Sequence, residues 1–124
     1  MLSNKKILII DDSSFERKII TNFLEGLNCT LFEAENATLG IKLAEKELPD
    51  LILMDVIMPG INGFQATKQL QMNESLKNIP VIMCTSKNQP TDKIWGEKQG
   101  AKAYLVKPLN REELRRTVSL FLGG

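Results

Sequence analysis

LILMDVIMPG (51–60) sets four apolar residues against an acid, Asp55, and follows them with a turn at Pro59-Gly60. The same arrangement occurs at three other places. KILII (6–10) runs into Asp11-Asp12, VIMC (81–84) into Thr85, and AYLV (103–106) into Lys107. Short, near-continuous apolar runs suit strands covered on both faces of a parallel sheet. Ligands of open parallel α/β sheets bind outside the carboxyl ends of the strands. If these runs are parallel strands, three carboxylates, one hydroxyl and one ammonium converge on one crevice.

The intervening segments read as helices. The first begins near 14, with Ser13 and Glu16 in capping-box spacing, and Phe15, Ile19, Ile20, Phe23 and Leu24 recur at helical spacing before Gly26 ends it. A more mixed strand, CTLFEA (29–34), suits a sheet edge. Helices are expected over 37–46, 64–72 and 91–98, strands over 50–54, 80–84 and 102–106, and a last helix follows Asn110 and Glu113. Alternating strands and helices predict an α/β fold of type (βα)5, doubly wound. Right-handed crossovers and a switch point beside the first strand favour the flavodoxin-like order 2-1-3-4-5.

A chain of 124 residues argues for a single domain, 1–124, and no linker, repeat or low-complexity tract divides it. The last amphipathic segment runs nearly to the end, which leaves no room for an output domain. A net charge of +1 gives no global pull toward nucleic acid or membrane. No apolar run approaches the roughly 18 residues of a membrane span, and MLSNKK followed by a short ILII lacks a signal-peptide core, so the expected location is cytoplasmic. The absence of His removes Ser-His catalysis, His-metal sites and phosphohistidine chemistry on this chain. Cys29 and Cys84 fit no metal spacing; both read as buried small hydrophobes, several strand spacings apart and beyond disulfide reach.

Asp11 and Asp12, read alone, are equally loop solvation and helix capping or a hard-cation site. Asp55, directly after a buried run, is less often idle. Beside two more acids it meets like-charge repulsion, which a Mg²⁺ ion relieves while also neutralising an incoming phosphoryl group. A carboxylate can attack phosphorus to give an acyl phosphate, and Asp55 is the candidate nucleophile. Lys107 supplies a point charge and Thr85 a hydroxyl for phosphoryl oxygens, against plainer readings as a solvated lysine and a strand-end threonine. A cis bond at Lys107-Pro108 would turn Lys107 over the site. Gly63 is either a positive-φ turn near the nucleophile or an ordinary loop glycine.

IIDDS (9–13), LMDVIMPGINGF (53–64), IPVIMCTSK (79–87) and GAKAYLVKP (100–108) together resemble the receiver domain of two-component response regulators, over essentially the whole chain. The resemblance implies phosphorylation of Asp55 by a histidine kinase, with a chemotaxis-type hybrid kinase as the expected partner. It implies Mg²⁺ (or Mn²⁺) held by Asp12, Asp55 and the backbone carbonyl of Ile57, with Asp11 acting through water. It assigns Thr85 and Lys107 to the phosphoryl oxygens and Tyr104 to the switch aromatic. The side chains of Ile57 and Lys87 would tune hydrolysis. Ile57 offers no polar group to orient water, so self-dephosphorylation is expected to be slow or moderate, and the chain is a phospho-acceptor rather than an enzyme. Its output would be protein binding through the surface of the fourth helix, fifth strand and fifth helix, as a monomer or weak dimer.

NGFQATKQL (62–70) and QPTDKIWGEKQGAKAYLVKPL (89–109) further resemble the PilH-type regulators of type IV pilus twitching motility and phototaxis. Trp95 carries part of that likeness and is otherwise read as a core contact of its own helix.

Rival readings leave distinct marks. An Asp-nucleophile phosphohydrolase of the haloacid dehalogenase type needs D-x-D after the first strand, where this chain has Ser13 two residues beyond Asp11. A flavin carrier needs a hydroxyl- and Gly-rich loop where DDSSFER stands. A phosphate sink or an unphosphorylated scaffold would keep the same residues.

Overall fold

The computed structural model describes residues 4–123. The expectation of no signal-peptide core at the start falls partly on residues 1–3, outside the described residues. Five strands alternate with five helices: β1 (Lys5–Ile10), α1 (Ser14–Phe23), β2 (Cys29–Ala34), α2 (Ala37–Glu47), β3 (Leu51–Met54), α3 (Gly63–Gln71), β4 (Val81–Thr85), α4 (Pro90–Gln99), β5 (Ala103–Val106) and α5 (Arg111–Leu122). All pairings are parallel, in the order β2-β1-β3-β4-β5. The order inferred from crossover handedness is the one found.

Side-chain alternation along the strands divides the core into two layers. Leu8, Ile10, Ile52, Met54, Val81 and Met83 pack against α2 and α3 through Ala37, Ala44, Phe64, Ala66 and Leu70. Ile7, Ile9, Leu51, Leu53, Ile82 and Cys84 pack against α1 and α5 through Ile20, Leu24, Leu114 and Val118. Central strands β1, β3 and β4 are buried almost throughout, which is why their sequences are unbroken apolar runs. The run AYLV does not follow that rule. As the second edge strand, β5 buries only Leu105 fully, and Ala103, Tyr104 and Val106 are half-buried.

Several local expectations need correction. α1 stops at Phe23 with Leu24 as its cap, before Gly26, and Phe15 points outward at 73% exposure. Ser13 caps α1 by accepting from the Glu16 N–H without the return bond of a full box, which α3 has between Asn62 and Gln65. Cys29 is half-buried on the edge strand, and only Cys84 is buried. Trp95 is not a core residue. It is 51% exposed on α4, because the packing position on that helix belongs to Gly96, against the rings of Tyr104 and Phe64. Gly63 is not a positive-φ turn residue; that conformation falls to Gly60 (φ 77°) in the same loop. No helix among the described residues is long and apolar enough to cross a membrane.

Candidate phosphoryl-transfer site

Hydrogen bonds that continue the sheet ladders past the strand ends position the site. The Asp11 N–H donates to the Ala34 carbonyl (3.1 Å), the Asp55 N–H to the Ile10 carbonyl (3.0 Å) and the Lys107 N–H to the Thr85 carbonyl (2.9 Å). Each functional backbone is thereby tied to the neighbouring strand. Accuracy at the site comes from the sheet, although three of these residues lie formally in loops.

Asp11, Asp12 and Asp55 bring carboxylate oxygens within 4.8 Å of one another. Asp11 and Asp55 are buried, at 2% and 7% exposure, and Asp12 is exposed. The Lys107 ammonium bridges the two buried acids, 2.7 Å from Asp11 Oδ2 and 3.0 Å from Asp55 Oδ2, with Glu16 Oε1 at 3.8 Å. The remaining oxygens accept backbone donors: Asp11 Oδ1 from Ser13 N–H (2.9 Å) and Asp55 Oδ1 from Ile57 N–H (3.2 Å). The Lys107-Pro108 peptide is cis.

Burial pushes the Asp11 carboxyl above its ordinary value; the Lys107 and Ser13 hydrogen bonds only partly offset this, and the Asp55 charge adds to the rise. For Lys107, burial works to lower the pKa, but hydrogen bonds to Asp11 and Asp55 and their charges outweigh it, and the ammonium is held above the usual lysine value. The lysine therefore stays charged. Two buried carboxylates are compensated by one cation, with a third, solvated acid beside them. Such an all-oxygen, electron-rich cluster fits a hard divalent cation, which takes carboxylates and keeps waters for replacement by a phosphate.

Thr85 ends β4 fully buried, and its Oγ1 accepts from the Lys87 N–H (3.3 Å). Tyr104 on β5 is half-buried and donates its hydroxyl to the Lys87 carbonyl (2.7 Å). Burial, then the charges of Asp92 and Asp55, push the Tyr104 phenol up to about 12. The backbone of Lys87 thus links Thr85 to Tyr104. The Lys87 ammonium is not drawn into the acid cluster; it lies 3.6 Å from Asp92 Oδ1 at the start of α4. The Ile57 side chain stands exposed beside Asp55.

Arg17 was missed in the sequence. Its guanidinium donates to the Asp11 carbonyl (2.6 Å) and to Glu33 (2.9 Å), fixing the loop that carries the first two acids. Only its place in the first turn of α1, just after the acidic loop, could have suggested it. Glu16, read as half of a cap, also turns its carboxylate toward Lys107.

A parallel α/β sheet with an acid cluster and a lysine at its carboxyl edge defines a class, and comparison with known proteins identifies it. Residues 7–119 match the response regulator receiver domain, and the chain belongs to that family. It is 48% identical over 119 residues to Protein PilH of Pseudomonas aeruginosa, covering 96% of this chain and 98% of PilH. It is 36% identical to a stretch of the sensor histidine kinase CheAY of Helicobacter pylori, covering 90% of this chain and 14% of that protein. Among solved structures, the chemotaxis protein CheY4 of Vibrio cholerae superposes with a TM-score of 0.89 at 31% identity, covering 96% of this chain and 99% of that one. The receiver domain of a P. aeruginosa sensor histidine kinase, solved with magnesium in its active-site cleft, gives 0.88 at 26% identity, covering 98% and 100%.

Proposed function

We propose that this chain is a phospho-accepting receiver that takes a phosphoryl group on Asp55 from a histidine kinase and signals by binding another protein. The observation that carries this reading is the Lys107 ammonium bridging Asp11 and Asp55 beside Asp12. An Asp55 oxygen attacks phosphorus. The new O–P bond forms as the N–P bond of the kinase's phosphohistidine breaks, and the imidazole nitrogen leaves with the electron pair.

Asp11, Asp12, Asp55 and the carbonyl of Ile57 are the residues to hold Mg²⁺ or Mn²⁺, which when bound supplies charge neutralisation to the phosphoryl oxygens. Lys107 then exchanges an Asp55 oxygen for a phosphoryl oxygen, and the Thr85 hydroxyl donates to another. That draws Thr85 toward the phosphoryl group, and Tyr104 moves into the space behind it. The surface of α4, β5 and α5 changes as a two-state element. Ile57 brings no polar group to orient water and Lys87 is engaged with Asp92, which supports slow self-dephosphorylation.

The likeness to PilH over nearly its whole length supports a cytoplasmic role in pilus-based motility. The test is intact-protein mass after incubation with Mg²⁺ and a small acyl-phosphate donor. One phosphoryl adduct is expected, absent after chelation and in Asp55→Asn. No adduct from the small donor, and none from a histidine kinase, would overturn the reading.

A further inference from the structure

The α3–α4 face is not used by the chemistry above. Trp95, the single tryptophan, is 51% exposed there, and Met72 at the end of α3 is 74% exposed. Two adjoining hollows flank Trp95. One, of about 370 Å³, lies toward Phe64 and Gln65; the other, of about 440 Å³, lies toward Met72 and Lys98. Lys68 and Gln99 line both, and no carboxylate lines either. Among the described residues, neither Lys68 nor Lys98 has an ion-pair partner. The opposite side of α4 presents Ile94 to a separate hollow with Tyr104, so the helix has two distinct faces.

We propose that the α3–α4 groove docks an acidic segment of a partner protein, with an apolar side chain seated against Trp95 and carboxylates over Lys68 and Lys98. Three features select that chemistry. A half-exposed tryptophan is a large, stiff anchor of the kind that dominates binding energy at interfaces. Two unpaired cations at its sides, with no acid in the lining, favour a negatively charged occupant and penalise a basic one. The nine residues of α3 span about 13 Å, the length of two to three helical turns, so a short segment covers the groove from end to end. The inference stands on the groove itself and holds whether or not Asp55 is phosphorylated.

Selection from displayed random peptides of about twelve residues, counter-selected on Lys68→Glu/Lys98→Glu, tests it. Far-ultraviolet circular dichroism checks that the variant is folded. Enriched peptides are expected to be acidic and to carry an aliphatic or aromatic residue. Their binding, read by Trp95 emission, should weaken about tenfold or more in the variant. No enrichment over the counter-selection, enrichment of neutral or basic peptides, or equal binding to the variant overturns the proposal. So does self-association that the two substitutions abolish, since a second copy would then be the occupant.

Discussion

Lys107 holds together two buried carboxylates that their mutual repulsion would drive apart. Its side chain is 10% exposed, between acids that are nearly inaccessible, so solvent screens the interaction weakly. Removing one partner of a buried ion pair leaves the other uncompensated. Lys107→Met is expected to cost on the order of 3 kcal/mol in chelator, measured by urea unfolding. Millimolar Mg²⁺ should restore a large part of that loss, because a divalent cation replaces the missing charge. The pH dependence has a defined sign. The folded pKa of Lys107 lies above its unfolded value of 10.5, so its stabilisation is full below pH 10.5 and fades as pH rises through the folded value. The gap between wild type and Lys107→Met should therefore be flat through neutral pH and close above 10.5. On the acid side the gap should narrow too, as Asp11, held above its ordinary value by burial, takes up a proton and no longer needs the cation; a gap that persists unchanged well above pH 10.5 would show that another group carries the effect.

The loop from β3 to α3 shows what a strand-to-helix connection requires here. The Gly63 N–H donates to the Val56 carbonyl (2.9 Å), and α3 begins so close to Asp55 that a Cβ on Gly63 would meet the Asp55 carbonyl oxygen and lie 2.8 Å from Val56 Cα. Both neighbours are backbone and cannot step aside. Gly63→Ala is expected to destabilise by about 2–3 kcal/mol and to lower phosphoryl acceptance by displacing Asp55. Gly60→Ala, with positive φ but open space, should cost about 1 kcal/mol and leave acceptance intact. Urea unfolding with adduct yield separates the two; equal losses would refute the close-approach account. The sequence shows that a glycine is wanted near Asp55 but not why, since steric crowding and positive φ demand the same residue. Strand ends were legible because buried parallel strands leave unbroken apolar runs such as LILM, and their order because right-handed crossovers restrict how such strands can be arranged. Trp95 was misread because PTDKIWGEKQ has no apolar period, and the contact position went to Gly96. Lys87 and Arg17 each join a near neighbour, Asp92 or Asp11, to a residue on another strand, Tyr104 or Glu33, and that second contact is tertiary and leaves no mark in the spacing.

Across the whole molecule, a continuous set of contacts runs from the acid cluster to the far side of α4. Thr85 accepts from Lys87, the Lys87 carbonyl accepts from Tyr104, and the Tyr104 ring lies where a Cβ on Gly96 would be 3.2 Å away. Trp95 is the next residue along α4. Interiors packed this closely pass on small shifts instead of absorbing them. If phosphoryl transfer to Asp55 draws on Thr85, the tyrosine ring and α4 must adjust together, and the environment of Trp95 changes although it lies outside the site. The expected outcome is a shift in Trp95 emission that appears with the Asp55 adduct at the same rate and reverses on dephosphorylation. Tyr104→Phe keeps the ring but removes the bond to Lys87, so it should reduce the emission change while leaving adduct yield unchanged. Tyr104→Ala should abolish the change, because α4 then loses the moving ring at Gly96 and keeps only its contact with Phe64 there. An emission change of full size in Tyr104→Ala would show that the signal reaches α4 by another route, through the α3 side of the molecule.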